Sequence, residues 1–321
     1  MKAYCLSHRK DVDGLGAASL SVAATGGEVI LSDYDDLVKN LRRIPDDAER
    51  VVLSDLGADS ADSADFPEFL EQMGRLAANA KVTYIDHHFM SEAAKRKLRK
   101  AGVEVVHDTK ECASMLTYKT FKDKLPERAR LIALCGAVTD YMDDSPMAKK
   151  MMEQSDRQFV LLEASMLSYA LGEMAGKGGF PESVVMELSK MKHPHEIPGV
   201  PEAAVKELDR VAQLGEFVKT HGTKKGRLAY MVTSQYSTGS IAKLLIGAFE
   251  VPVGVAMKEK TMGWYEVSLR GTSECKVHLG RTVAKIAATM GGSGGGHRKA
   301  AGCRIPVTEL DELIDGLAKK V

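Results

Sequence analysis

The sequence predicts an α/β protein, with an N-terminal doubly wound parallel sheet followed by a smaller C-terminal α/β domain. Three observations carry this reading. Short apolar runs alternate with helical stretches over the first third of the chain. A Pro-rich break falls at His193-Pro194-His195-Glu196-Ile197-Pro198-Gly199-Val200-Pro201. Beyond it, strand and helix signals start to alternate again. With 321 residues the chain exceeds what one core usually serves, so two domains are expected.

Each element has its own signal. Ala3–His8 is a short apolar run read as a strand, and Gly14–Thr25 is small, apolar and helical. Glu28–Ser32 reads as a strand and Asp35–Arg43 as a helix. Strands follow at Arg50–Asp55, Lys81–Asp86 and Gly102–His107, with a helix at Phe66–Ala80. The basic cluster Lys95, Arg96, Lys97, Arg99, Lys100 reads as a solvated helix face rather than a nucleic-acid patch. From Cys112 to Met191 the pattern turns helical, with apolar spacing over Ala129–Tyr141 and Asp156–Met174. A charged helix over Glu202–His221 follows the Pro-rich break. The last part reads as strands at Arg227–Thr233, Val251–Met257 and Trp264–Arg270, and helices at Ser237–Phe249 and Arg281–Met290. A glycine-rich loop, Gly291–Gly296, a short strand and a terminal helix complete it.

Composition narrows the function. The formal net charge is zero, and a protein that grips a long nucleic acid usually carries a basic excess, so a long-polymer binder is disfavoured. The cysteines Cys5, Cys112, Cys135, Cys275 and Cys303 form no C-x-x-C pair, which disfavours a zinc knuckle and suits a reducing cytoplasm. No apolar run reaches the roughly 18 residues of a membrane span. The N-terminal stretch is too short and too soon polar for a signal peptide. A cytoplasmic protein with no membrane partner is expected.

Three predicted strands end in acid or histidine: His8 with Asp11 and Asp13, then Asp55, then Asp86-His87-His88. In open α/β sheets the ligand site lies beyond the carboxyl ends of the strands, so these residues should converge. Asp140, at the end of a helical apolar segment, joins the inventory. Taken singly, each aspartate also reads as a turn or helix cap. Together they are a two-metal set of four or five aspartates and two or three histidines. Imidazole with carboxylate and no thiolate favours manganese, with magnesium or cobalt as alternatives. Two such cations can activate a hydroxide between them and suit phosphate-ester hydrolysis.

Asp86-His87-His88 is the signature after which the DHH phosphoesterases are named. The series His8, Asp11-x-Asp13, Asp55, Asp86-His87-His88, Asp140 resembles that family's motifs in order and spacing. Gly291-Gly292-Ser293-Gly294-Gly295-Gly296-His297-Arg298-Lys299-Ala300-Ala301-Gly302 resembles the glycine-rich loop of the associated DHHA1 domain. Val267-Ser268-Leu269-Arg270 is similar to that domain's strand ending in a substrate-binding arginine.

The resemblance implies a DHH/DHHA1 phosphoesterase similar to nanoRNase/pAp-phosphatase and RecJ-like proteins. Its DHH domain is expected at residues 1–192, a linker with a bridging helix at 193–224 and the DHHA1 domain at 225–321. The family pattern implies one divalent cation on His8, Asp11 and Asp55, and a second on Asp13, Asp55, His87 and Asp140, with Asp55 shared. It implies that His88 lies at the scissile phosphate, and that Asp86 supports it or joins the ligands. Arg270, His297 and the backbone around Gly295 and Gly296 are implied to hold substrate. Glycines let backbone N–H groups approach a phosphate, and arginine presents a planar fork to its oxygens.

The expected substrate is a short oligonucleotide or small nucleotide: nanoRNA, 3′-phosphoadenosine 5′-phosphate or a dinucleotide. The alternatives are a RecJ-like single-strand exonuclease, an exopolyphosphatase and a non-catalytic nucleotide sensor. The exonuclease would need a channel lined with stacking aromatics, and only 6% of residues are aromatic. A homodimer through the mid-chain helices is a further expectation. Asp33, Asp35 and Asp36 read as caps and turns, and His107, His193, His195, His221 and His278 as structural.

Overall fold

The structure is a computed structural model and describes residues 2–57, 65–174, 176–234 and 236–321. It divides into two compact units, Met1–Glu207 and Leu208–Val321, with the division inside one long helix, Val200–His221.

The first unit is built on five strands: β1 (Ala3–His8), β2 (Glu28–Ser32), β3 (Arg50–Ser54), β4 (Lys81–Asp86) and β5 (Glu104–His107). They pair in the order β2-β1-β3-β4-β5, and every pair is parallel. Four helices connect them: α1 (Val12–Thr25), α2 (Leu37–Arg42), α3 (Phe66–Ala77) and α4 (Glu92–Lys100). Then come α5 (Ala113–Phe121), α6 (Ala129–Thr139), α7 (Pro146–Met152), α8 (Arg157–Glu173) and α9 (Phe180–Ser189), with α10 (Val200–His221) leading into the second unit.

Alternation of side chains along each strand gives the sheet two apolar faces. Cys5, Val52 and Ile85 face one core with α1, α5 and α6. Leu6, Val51, Leu53, Val82 and Tyr84 face another with α2, α3 and α4. The sheet is therefore doubly wound. In this strand order the chain leaves β1 toward β2 on one side and returns to β3 on the other. The carboxyl ends of β1 and β3 thus flank a topological switch point, where the open connections leave a crevice.

The sequence boundaries of β1, β2 and β4 coincide with the observed strands. The helix expected over Asp35–Arg43 is split: a 3-10 turn over Tyr34–Asp36 precedes α2. Asp33 starts this turn in a reciprocal capping box with Asp36, which favours the tighter geometry there. The basic cluster lies on α4, where Lys95 pairs with Glu92 at 2.8 Å while Arg96, Lys97, Arg99 and Lys100 are exposed.

The second unit holds a mixed sheet ordered β10-β11-β9-β8-β7-β6, from β6 (Thr223–Lys225), β7 (Leu228–Val232), β8 (Val253–Thr261), β9 (Trp264–Gly271), β10 (Ser293–Gly296) and β11 (Ala300–Pro306). The pair β7–β8 is parallel and the other neighbours are antiparallel. Its helices are α11 (Thr238–Phe249), α12 (Leu279–Thr289) and α13 (Leu310–Ala318). One expectation is corrected: Ser293–Gly296 is an edge strand rather than loop, antiparallel to β11. A β-carbon at Gly280 would lie 1.9 Å from the Gly296 carbonyl oxygen, so α12 packs on this strand through bare backbone. No described helix is long and apolar enough to cross a membrane. All five cysteines are free and buried.

Candidate metal centre

The strand ends of the first unit gather the acids and histidines. His8 ends β1, Asp55 follows β3, Asp86 ends β4 with His87 and His88 after it, and Asp140 caps the carboxyl end of α6. Asp11 caps the amino end of α1 and accepts from Gly14 N–H at 2.8 Å, while Asp13 lies in that helix's first turn. Donor atoms of His8, Asp11 and Asp55 lie within 4.8 Å of one another, as do those of Asp13, Asp55 and His87, and of Asp55, Asp86 and His88. Asp55 belongs to all three groups. Its φ of 56° is the left-handed conformation that a non-glycine residue adopts at a cost, which turns its carboxylate into the cluster.

The separations are those of a shared ligand shell. His87 Nε2 lies 3.3 Å from Asp55, 3.7 Å from Asp140 and 3.8 Å from Asp13. The two longer ones are past hydrogen-bond range. Two ligands that each reach a cation at about 2.1 Å stand roughly 3.0–3.5 Å apart, close to this spacing. Asp140 Oδ2 and Asp33 Oδ1 are buried with no hydrogen-bond partner, and the latter faces His8 Nε2 at 3.8 Å. A divalent cation would satisfy such oxygens, so the residues present fit the group.

Electrostatics agree. Burial, then the charges of Asp11, Asp13, Asp140 and Asp86, push the Asp55 carboxyl well above its ordinary range. Burial, then Asp13 and Asp11, push Asp140 up to about 8 against the pull of His88. Burial also holds the His87 ring below its ordinary value, hence neutral and ready to act as a ligand. So many carboxylates cannot all ionise without added positive charge.

His88 is set up differently. Burial alone would lower its pKa. Its Nδ1 hydrogen bond to Asp86 Oδ1 at 2.9 Å and the Asp86 charge, with Asp140 and Asp11, lift it to about 9. Asp86 is completely buried; desolvation opposes its charge, but the His88 bond and the charges of both histidines hold its carboxyl below the usual range. Tyr84 donates its hydroxyl to Asp86 at 3.3 Å. His107, read as structural, donates from Nε2 to the His88 carbonyl at 2.7 Å and so fixes the backbone of this turn.

Sequence reasoning missed Tyr34. Its hydroxyl stands 3.2 Å from His88 Nε2, and its ring is 5.3 Å from that of His8. Desolvation, then the charges of Asp55 and Asp86, keep this hydroxyl protonated well past its ordinary range. The signal was present as Asp33-Tyr34-Asp35-Asp36 after β2, but turn chemistry explained it equally well. A separate group lies at Glu163, His193 and His195. There Glu163 accepts from the His195 backbone N–H at 3.1 Å and from its ring, anchoring the 194–196 turn to α8.

In the second unit, Arg270 near the end of β9 is paired with Ala300 at the start of β11, and Gly296 at the end of β10 pairs with Ala301. His297 follows, its N–H bonded to the Ala300 carbonyl at 2.7 Å. Arg270, Gly295, Gly296 and His297 therefore share one end of the sheet.

Residues 225–321 match the family model described as the DHHA1 domain. No curated protein sequence matches the chain. Among solved structures, the fold is similar to the pGpG-specific phosphodiesterase PggH from Vibrio cholerae, with TM-score 0.59, 14% identity and coverage of 99% of this chain and 98% of that one. It is similar to a DHH domain described as a member of the s1p family of ribosomal proteins, with TM-score 0.68, 16% identity and coverage of 99% and 86%. It also resembles RecJ from Thermus thermophilus, solved with Mn2+, with TM-score 0.60 and 14% identity over 99% of this chain but 51% of that one. At these identities the likeness carries the fold. Residues 225–321 are thus matched as a DHHA1 domain, and the fold of the chain is shared with DHH-domain proteins of known structure.

Proposed function

We propose that this protein is a two-metal phosphohydrolase acting on phosphodiester or phosphomonoester bonds of short oligonucleotides or small nucleotides. The observation that carries the reading is Asp55, whose carboxylate belongs both to the His8–Asp11 group and to the Asp13–His87 group. His8, Asp11 and Asp55 would hold one divalent cation, and Asp13, Asp55, His87 and Asp140 a second, with manganese favoured by the mixed donors. When bound, the cations offset phosphoryl charge and lower the pKa of a water.

The remaining work falls to the chain. His88, protonated near neutral pH, donates its Nε2 proton to the leaving oxygen as the water oxygen bonds to phosphorus, the phosphorus–oxygen ester bond breaks and the water gives up one proton to solvent. Asp86 orients that imidazolium from Nδ1. In the DHHA1 domain, Arg270, His297 and the backbone of Gly295 and Gly296 bind substrate phosphate or sugar. The proposed partition is a DHH domain over 1–192, a linker over 193–224 and the DHHA1 domain over 225–321.

The test is manganese-dependent hydrolysis of a 5′-labelled RNA and DNA length series, with phosphoadenosine phosphate, cyclic dinucleotides and polyphosphate alongside. Cleavage of dimers to pentamers that disappears in Asp55→Asn and His87→Ala is expected. Processive degradation of long strands would favour the exonuclease alternative. Nucleotide binding without turnover under any divalent cation would overturn the enzyme reading.

A further inference from the structure

Three site residues are each followed in the chain by an aromatic side chain that the fold leaves in solvent. Tyr34 follows Asp33 and is 48% exposed, Phe89 follows His88 and is 72% exposed, and Tyr141 follows Asp140 and is 48% exposed. Among the described residues one other aromatic, Phe159, reaches this class. A lone exposed aromatic is ordinary on any surface. Three around one acidic cluster, in a chain with few aromatics, are not scattered singly.

The backbone at Tyr141 strengthens the point. After α6, Met142 N–H bonds back to the Ala137 carbonyl at 2.8 Å and Tyr141 adopts φ 58°. This is the left-handed residue of a Schellman cap, a position where glycine is free of strain. The chain instead carries a tyrosine there, with about half its surface in solvent. Tyr34 is held just as specifically, its hydroxyl on His88 and its ring tilted against His8.

We infer that Tyr34, Phe89 and Tyr141 are specificity-determining residues that stack nucleobases beside the phosphate bound at the cluster. The substrate is then a base-bearing phosphate ester, with at least one base adjoining the scissile bond, and inorganic polyphosphate is a poor substitute. This rests on the proposed phosphohydrolase site. Aromatic rings accept any base by its π-face, so the rim selects for the presence of a base more than for its identity.

The full chain with manganese is assayed on a 5′-phosphorylated adenine dinucleotide and on its abasic counterpart, which has the same sugar-phosphate backbone. Phe89→Ala and Tyr141→Gly are each expected to raise KM for the dinucleotide about 5- to 100-fold and to leave the abasic rate unchanged. A thermal melt of each variant shows whether a loss of affinity can be laid to misfolding. Variants that handle the dinucleotide as the parent does, or a parent that cleaves both compounds equally, would overturn the stacking rim. If the parent cleaves neither, the phosphohydrolase reading fails separately. Calorimetric binding of the two compounds to the parent and to Phe89→Ala then still decides the rim.

Discussion

Asp13 and Ser114 are joined across 101 positions of sequence by two hydrogen bonds. Asp13 Oδ1 accepts from the Ser114 backbone N–H at 2.9 Å and from its hydroxyl at 2.5 Å. Asp13 Oδ2 accepts from Ala113 N–H at 2.8 Å. A carboxylate in the first turn of α1 thus caps the amino end of α5, where a negative charge is favoured. Asp13→Ala should therefore cost about 1–2 kcal/mol of stability even in the presence of a chelator. Asp11→Ala, at a more exposed carboxylate, should cost less under the same conditions. Thermal melts of both variants in chelator check this.

Gly136→Ala should be among the most damaging single-atom-scale changes in the first unit. Its β-carbon would fall 2.0 Å from Ser114 Oγ and 2.6 Å from Asp13 Oδ1. Relieving that clash means moving α5 from α6, with a loss of about 1–3 kcal/mol. Chemical denaturation reads the loss. Rescue by Ser114→Ala would be partial, because the Asp13 contact remains.

The metal-free protein should lose stability as pH rises from about 4 to 8. Asp140 protonates at about 8 in the folded chain against an ordinary value of 3.8. Between those values the folded state holds a proton that the unfolded state has released, so stability falls with rising pH. His88 acts in the same direction: the stability it contributes is complete below 6.5 and is lost as pH rises through about 9. Melting temperature across this range, with chelator and then with manganese, is the measurement. The cation should raise it most at the alkaline end.

Asp55→Asn should give a more stable metal-free protein and an inactive one. The substitution removes a carboxyl whose ionisation is opposed by burial and by four neighbouring carboxylates. It also removes the ligand common to both proposed cation positions. Calorimetric titration with manganese should show binding lost or greatly weakened, while the melt in chelator moves up. A variant that binds two cations with parental affinity would refute the shared role.

Asp86→Asn should lower activity about 10- to 100-fold, the usual effect of removing the partner that orients a working histidine. Because Asp86 is what lifts His88, the alkaline limb of the pH–rate profile should move to lower pH. A uniform loss with an unmoved limb would indicate a purely structural effect.

Much of this architecture was legible because its signals are local. Short apolar runs marked β1, β2 and β4, and β1 and β4 ended in chemically distinctive residues. The convergence of His8, Asp55 and His87 followed from parallel topology, since parallel strands present all their carboxyl ends on one side. What stayed hidden depends on contacts without a sequence period. The cap from Asp13 to α5 is one such contact, and the hold of His107 on the His88 carbonyl is another. Tyr34 was obscured by its neighbours, because three aspartates around a tyrosine read as a turn whether or not the ring faces a ligand. The glycine run after α12 suggested loop because glycine disfavours strands in general. Its pairing with β11 is a tertiary override of that propensity.

The topological switch between β1 and β3 also bears on how this protein comes into being. Its acids and histidines arrive on separate segments, and the last of them, Asp140, sits after α6. A polypeptide growing from its amino end exposes His8, Asp55 and the two histidines long before α6 has been synthesised and docked. On the proposed two-metal reading, the second ligand group is then complete only once α6 has been made and docked.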